Sequence, residues 1–153
     1  MKVLFLHGHS SNGGSKTWFI RSLGYEVLAP KLTNWSFNGA LLTAQIAYDQ
    51  MEPDVIVGSS RGGAVAMRVQ VGQTPLVLLA PPWVWCGVKP ELRTKTVIIH
   101  SKFDKLVPIC DSRELCNRNP DSQLIEVGKD HRLNDEEARR ALKAALKSLL
   151  RQQ

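Results

Sequence analysis

Cysteine is scarce in this chain. Its 153 residues include three, Cys86, Cys110 and Cys116. An odd set with no C-x-x-C spacing excludes a disulfide-stapled scaffold and suits a reducing compartment, so all three read as structural. Cys and His do not cluster at zinc-ligand spacing either, so no metal is expected. Long apolar runs are also missing. The N-terminal run at residues 3–6 stops at His7-Gly8, too short for the core of a signal peptide. No segment approaches the roughly 20 apolar residues of a membrane span, and the chain is expected in the cytoplasm, away from membranes. The phosphate-cradling patterns G-x-x-x-x-G-K-[ST] and G-x-G-x-x-G are both absent. Acidic side chains are outnumbered 20 to 14, a net charge of +6. Much of that excess lies at Arg139, Arg140, Lys143, Lys147 and Arg151, interleaved with alanine and leucine at helical spacing. A solvated helix face accounts for it, and no nucleic-acid partner is expected.

What remains is an ordinary globular composition, 43% hydrophobic and 22% charged, of a length that fits one domain over residues 1–153. Six short apolar runs punctuate it: KVLFL at 2–6, YEVLA at 25–29, DVIV at 54–57, LVLLA at 76–80, TVIIH at 96–100 and QLIEV at 123–127. They are β-branched and nearly continuous in apolar residues, as strands are when both faces of a parallel sheet are covered. Helical patterns fit between them at 38–51 and 62–71, and a third begins near Asn134. There Glu137 completes an Asn-led capping box, and Ala138, Ala141, Leu142, Ala145, Leu146 and Leu149 form one stripe. The alternation predicts an α/β fold: a three-layer α/β/α sandwich around a mostly parallel sheet of about six strands. Such sheets carry their chemistry in the loops beyond the carboxyl ends of the strands.

Several of those loops carry reactive residues. After the third strand comes Gly58-Ser59-Ser60-Arg61-Gly62-Gly63, a G-x-S-x-G between strand and helix. A turn sharp enough to lift a serine hydroxyl above the sheet needs glycines around it. The following helix then aims its amides at the point where negative charge develops. After the first strand comes His7-Gly8-His9-Ser10-Ser11-Asn12-Gly13-Gly14, whose bare backbone can approach a substrate oxygen. An oxyanion hole is expected from the amide of Arg61 together with that of His9 or, alternatively, Ser10. The pair His7 and His9 is too weak a pattern to imply a metal. Activating a serine requires a base oriented by a carboxylate. His131 is the only histidine beyond Asp104, and the order Ser60, Asp104, His131 is nucleophile, acid, base. Asp130 is a weaker candidate for the acid because adjacent side chains orient each other poorly. Ser59 is a weaker nucleophile because Ser60 alone is centred between Gly58 and Gly62.

His7-Gly8, Gly58-x-Ser60-x-Gly62, Asp104-x-x-Val107-Pro108 and Gly128-x-x-His131 together resemble the α/β-hydrolase superfamily, over nearly the whole chain and most closely its small lidless esterases and thioesterases. The resemblance implies Ser60 as nucleophile, Asp104 as acid, His131 as base and an oxyanion hole from Arg61 and the His-Gly loop. It also implies a serine hydrolase acting on a small carboxylic ester or thioester without a cofactor. Two departures stand out. The family's usual first two strands are missing, and only residues 81–95 occupy the place where relatives insert a cap. Trp83 and Trp85, after the fourth strand, and Trp35, after the second, are candidate pocket walls. The rival reading is a non-enzymatic module that keeps the fold and uses the pocket to bind a ligand or a protein.

Overall fold

A computed structural model describes residues 1–9 and 13–151. Its strands are β1 (Lys2–Leu6), β2 (Glu26–Leu28), β3 (Val55–Ser59), β4 (Leu76–Leu79), β5 (Thr96–His100) and β6 (Ser122–Glu126). They form one six-stranded sheet in the order β2-β1-β3-β4-β5-β6, parallel throughout. Five helices connect or follow them: α1 (Gly14–Ser22), α2 (Phe37–Met51), α3 (Arg61–Ala66), α4 (Ile109–Arg118) and α5 (Glu136–Leu150).

Successive strand residues point to opposite faces, and both faces are covered. Val3 and Phe5 of β1, Val55 and Val57 of β3, and Val97 and Ile99 of β5 pack with Ile20 of α1 and the apolar stripe of α5. Leu4, Leu6, Ile56, Leu78 and Ile98 pack with Ala40, Ala44 and Ala47 of α2, Val65 of α3 and Leu115 of α4. This is the three-layer α/β/α sandwich, with no cap over it. The near-continuous apolar strands follow from burying both faces.

Some local expectations need correction. The helix expected over 62–71 ends at Ala66, and beyond it the chain turns irregularly towards β4. The cap of α5 is Asp135, whose carboxylate accepts the Ala138 amide at 3.3 Å, not Asn134. Asn134 instead accepts from Lys16 Nζ at 3.0 Å. The three cysteines are free thiols. Among the described residues no helix is long and apolar enough to cross a membrane.

Topology places the site. The chain leaves β1 for β2 on one side and then returns to β3 on the other, so the connections diverge between β1 and β3. Diverging loops leave a crevice at the carboxyl ends of those two strands. Register sharpens the placement: Leu6 lies beside Gly58, so the His7-Gly8 and Ser59-Ser60 segments leave the sheet as neighbours.

Candidate active site

Ser60 stands between β3 and α3 at φ 52° and ψ −125°. This backbone conformation is costly for any residue with a Cβ, and it survives because the surroundings enforce it. The Ser60 amide donates to Leu79 O of β4 at 2.8 Å, and its carbonyl accepts from Gly63 N at 2.7 Å. The flanking glycines are required by close approach. A Cβ on Gly58 would sit 2.6 Å from Gly62 O, and one on Gly62 would overlap the Leu6 carbonyl. Gly8 presses on the serine itself, where an added Cβ would be 3.2 Å from Ser60 Cβ.

His131, from the loop between β6 and α5, places Nε2 2.8 Å from Ser60 Oγ. Its Nδ1 lies 2.6 Å from Asp104 Oδ2. A carboxylate only accepts, so Nδ1 carries the proton and Nε2 is left to accept from the serine hydroxyl. The structure thus brings Ser60, His131 and Asp104 into one hydrogen-bonded line. Asp130 stands outside it, since its Oδ1 accepts the amides of Arg132 at 3.0 Å and Leu133 at 3.3 Å and so shapes the turn after His131. Ser59 lines the cavity beside Ser60.

The side chain of Asp104 is fully buried. Burial pushes its carboxyl pKa up, but hydrogen bonds from the amides of Val107 and Leu106 and from His131 outweigh that, and the net shift is downward. The carboxylate is therefore ionised at neutral pH. It also has a partner that the sequence did not advertise. His100, the last residue of β5 and fully buried, places Nε2 3.1 Å from Asp104 Oδ2 and 3.1 Å from Val107 O. Both are acceptors, so this nitrogen bears a proton. Nδ1 then accepts from the Ser112 hydroxyl at 2.7 Å. Burial pushes the His100 pKa down, against the pull of Asp104. The neutral tautomer is thus fixed by its neighbours. A histidine ending a strand with an aspartate four residues later was the only sequence signal of this contact.

Lys16 was also missed. Its Nζ donates to Arg132 O at 2.5 Å and to Asn134 Oδ1, which ties α1 to the loop that carries His131. Burial is the main reason its pKa is lowered to about 8; Asp130 opposes the shift, while Arg139 and Arg132 add to it.

Of the expected oxyanion donors, Arg61 begins α3, so its amide lies at that helix's first position. Its side chain is tied away, with Nη1 donating to Thr33 O at 2.9 Å. His9 is exposed at the cavity wall, and Ser10 lies outside the described residues. His7 is buried and its ring is fully engaged. Nε2 accepts from Leu32 N at 2.9 Å, which leaves Nδ1 to donate to Gly8 O at 2.7 Å. His7 therefore braces the loop beside the serine. Among the described residues no group of His, Cys, Asp or Glu is placed to hold a metal ion.

The cavity over Ser60 has a volume of about 1120 Å³ and is walled by Phe5, Lys16, Lys31, Leu32, Leu106 and Arg132, with Ser60 and His131 on it. The tryptophans are not part of that wall. Trp83 is buried in the core, its Nε1 donating to Asp111 O of α4 at 2.8 Å. Trp35 and Trp85 are 98% and 91% exposed. They were expected in the pocket because they follow strand ends, but the loops carry them outward.

A six-stranded parallel α/β/α sandwich with a strained serine at its topological switch is the architecture of the hydrolases built on this fold. The sequence matches the model of the alpha/beta hydrolase family over residues 3–145, and the chain belongs to that family. No curated protein matches it. Among solved structures, alpha/beta hydrolase domain-containing protein 10 from mouse is similar at 15% identity and a TM-score of 0.80, covering 99% of this chain and 90% of that one. The esterase EaEST from Exiguobacterium antarcticum is similar at 12% identity and TM-score 0.78, with coverage of 97% and 91%. The esterase domain of a Rhodothermus marinus protein is similar at 20% and 0.73, with coverage of 99% and 86%. At these identities the likeness is one of fold.

Proposed function

We propose that the chain is a serine hydrolase that cleaves a carboxylic ester or thioester through an acyl-enzyme on Ser60. One observation carries the reading: the unbroken line Ser60 Oγ, His131 Nε2, His131 Nδ1, Asp104 Oδ2, with contacts of 2.8 and 2.6 Å. Ser60 attacks the substrate carbonyl carbon as its proton passes to His131 Nε2. The resulting imidazolium is stabilised by the ionised Asp104. The tetrahedral oxyanion is held by the amide of Arg61 and by a second amide from the His-Gly loop, that of His9. The intermediate then expels the alcohol or thiol, which takes the proton from His131. Water, deprotonated by the same nitrogen, attacks the acyl-enzyme and releases the acid. Every proton has a place on these residues.

The cavity is open and has no cap, which supports small or extended acyl groups over deeply enclosed ones. The partner in this reading is a small acyl ester or thioester. Replacing Ser60 with alanine is expected to lower kcat for short-chain p-nitrophenyl esters by several orders of magnitude, with far-ultraviolet circular dichroism unchanged. An S60A enzyme that kept the wild-type rate would remove Ser60 from the mechanism.

A further inference from the structure

We infer that the cleft over Ser60 selects substrates bearing an anionic group, a carboxylate or a phosphate, in addition to the scissile ester or thioester. This rests on the acyl-transfer reading of Ser60. Three cations from three separate segments converge on one cavity. They are Lys16 from the first turn of α1, Lys31 from the loop after β2, and Arg132 from the residue after His131. No aspartate or glutamate lines that cavity among the described residues. None of the three cations takes part in the ion pairs among the described residues, which join Arg113 to Glu126, Arg118 to Glu114, Arg140 to Glu136, and His100 and His131 to Asp104. Asp130, the acid felt most by Lys16, already accepts two amides through its Oδ1 and does not line the cavity.

A concave surface of one sign concentrates field lines and raises the local concentration of oppositely charged ligands. Lys16 adds a thermodynamic argument. Its ammonium is half-buried near two arginines and its pKa is lowered to about 8. Burial is the main cause and the two arginines add to it, and a bound anion would offset both.

The anion could sit on the acyl side or on the leaving group, and two matched pairs of substrates distinguish these. The first compares p-nitrophenyl hydrogen glutarate with its neutral methyl ester. The second compares butyryl-coenzyme A with the butyryl thioester of N-acetylcysteamine. In at least one pair, kcat/KM is expected to favour the anionic member by about tenfold at low salt. Sodium chloride at 0.5 M should erode most of that advantage, since the cleft is open to solvent. The Lys31→Gln and Arg132→Gln enzymes should each show a smaller ratio of anionic to neutral substrate. The responding pair identifies the side that carries the charge. Equal kcat/KM within both pairs, or a preference untouched by salt and by both substitutions, overturns the inference. If neutral esters are hydrolysed and Ser60 reacts with a fluorophosphonate, such a result leaves the acyl-transfer reading standing. An enzyme that hydrolyses none of the four and leaves Ser60 unlabelled overturns both.

Discussion

Asp104 concentrates the residue-scale chemistry. Its Oδ1 accepts the amides of Leu106 at 2.8 Å and Val107 at 2.9 Å, while Oδ2 is shared by His131 and His100. Four donors around one buried carboxylate hold it ionised and fix where Oδ2 points, and thereby fix the ring of His131. Removing His100 leaves Asp104 one donor short and strands the Ser112 hydroxyl. His100→Phe is therefore expected to cost about 1–3 kcal/mol in urea denaturation. It should also lower kcat more than it changes KM, and His100→Gln, with an amide donor, should restore part of both. The same residue sets a pH dependence. His100 titrates below its ordinary value of 6.5 in the folded chain. Its contribution to stability is therefore complete above about 6.5 and is lost as the pH falls through that value towards the lower folded one, because the unfolded chain takes up the proton first. Denaturation midpoints measured from pH 8 to 5 should decline, and the decline should be shallower in His100→Gln. An equally steep decline in that variant would assign the effect to other groups.

At the scale of elements, β1, β3 and α3 meet in close backbone contact. Gly62 lies against the Leu6 carbonyl and Gly58 against Gly62, which is how α3 comes close enough to the sheet for Ser60 to be raised over it. Gly62→Ala, where the obstructing atoms are backbone, is expected to destabilise by about 3 kcal/mol or to prevent folding. A thermal melt within a few degrees of wild type would contradict this. The Gly-x-Ser-x-Gly spacing made this junction legible, because sterics leave few alternatives there.

Other elements were less legible, for identifiable reasons. α4 buries little besides Ser112 and Leu115, and α1 buries only Thr17 and Ile20 while Trp18 stays exposed. Neither presents a clear apolar stripe to read. The end of α3 has no local stop signal before Gly72; it ends where the chain must turn back to start β4, a tertiary requirement. The tryptophans illustrate the same limit, since an indole after a strand end can pack inward, as Trp83 does, or project outward, as Trp85 does. His100 was hidden because a histidine inside an apolar strand looks like a packed residue until the loop four residues later folds back onto it.

Across the whole molecule, the strand order brings distant segments to one edge. Ser60, Asp104 and His131 come from the turns and loops that follow β3, β5 and β6, and the braces from His7 after β1 and Lys16 on α1. Ser101 links two of these loops directly, its hydroxyl donating to Gly128 O at 2.8 Å. The site's precision therefore depends on the sheet and on both helical layers. Leu146, fully buried on the α5 side, lies on the helix that follows the His131 loop. Leu146→Ala is expected to cost about 2–5 kcal/mol by leaving a cavity. Below the new melting temperature kcat should be nearly unchanged, as read by differential scanning calorimetry and ester turnover on the same sample. Alternation of strands with helices made this architecture readable from sequence. The identity of the residues that stiffen the site was not readable, because bracing contacts follow from packing and leave no motif.

The central claim is that Ser60 is made reactive by His131 and Asp104. Mass spectrometry of the protein after incubation with a fluorophosphonate tests it most directly. One adduct per chain is expected, mapped to the peptide containing Ser60, formed far more slowly in His131→Ala and absent from Ser60→Ala. An adduct on Ser59 or elsewhere, or labelling as fast without the histidine as with it, would contradict the account.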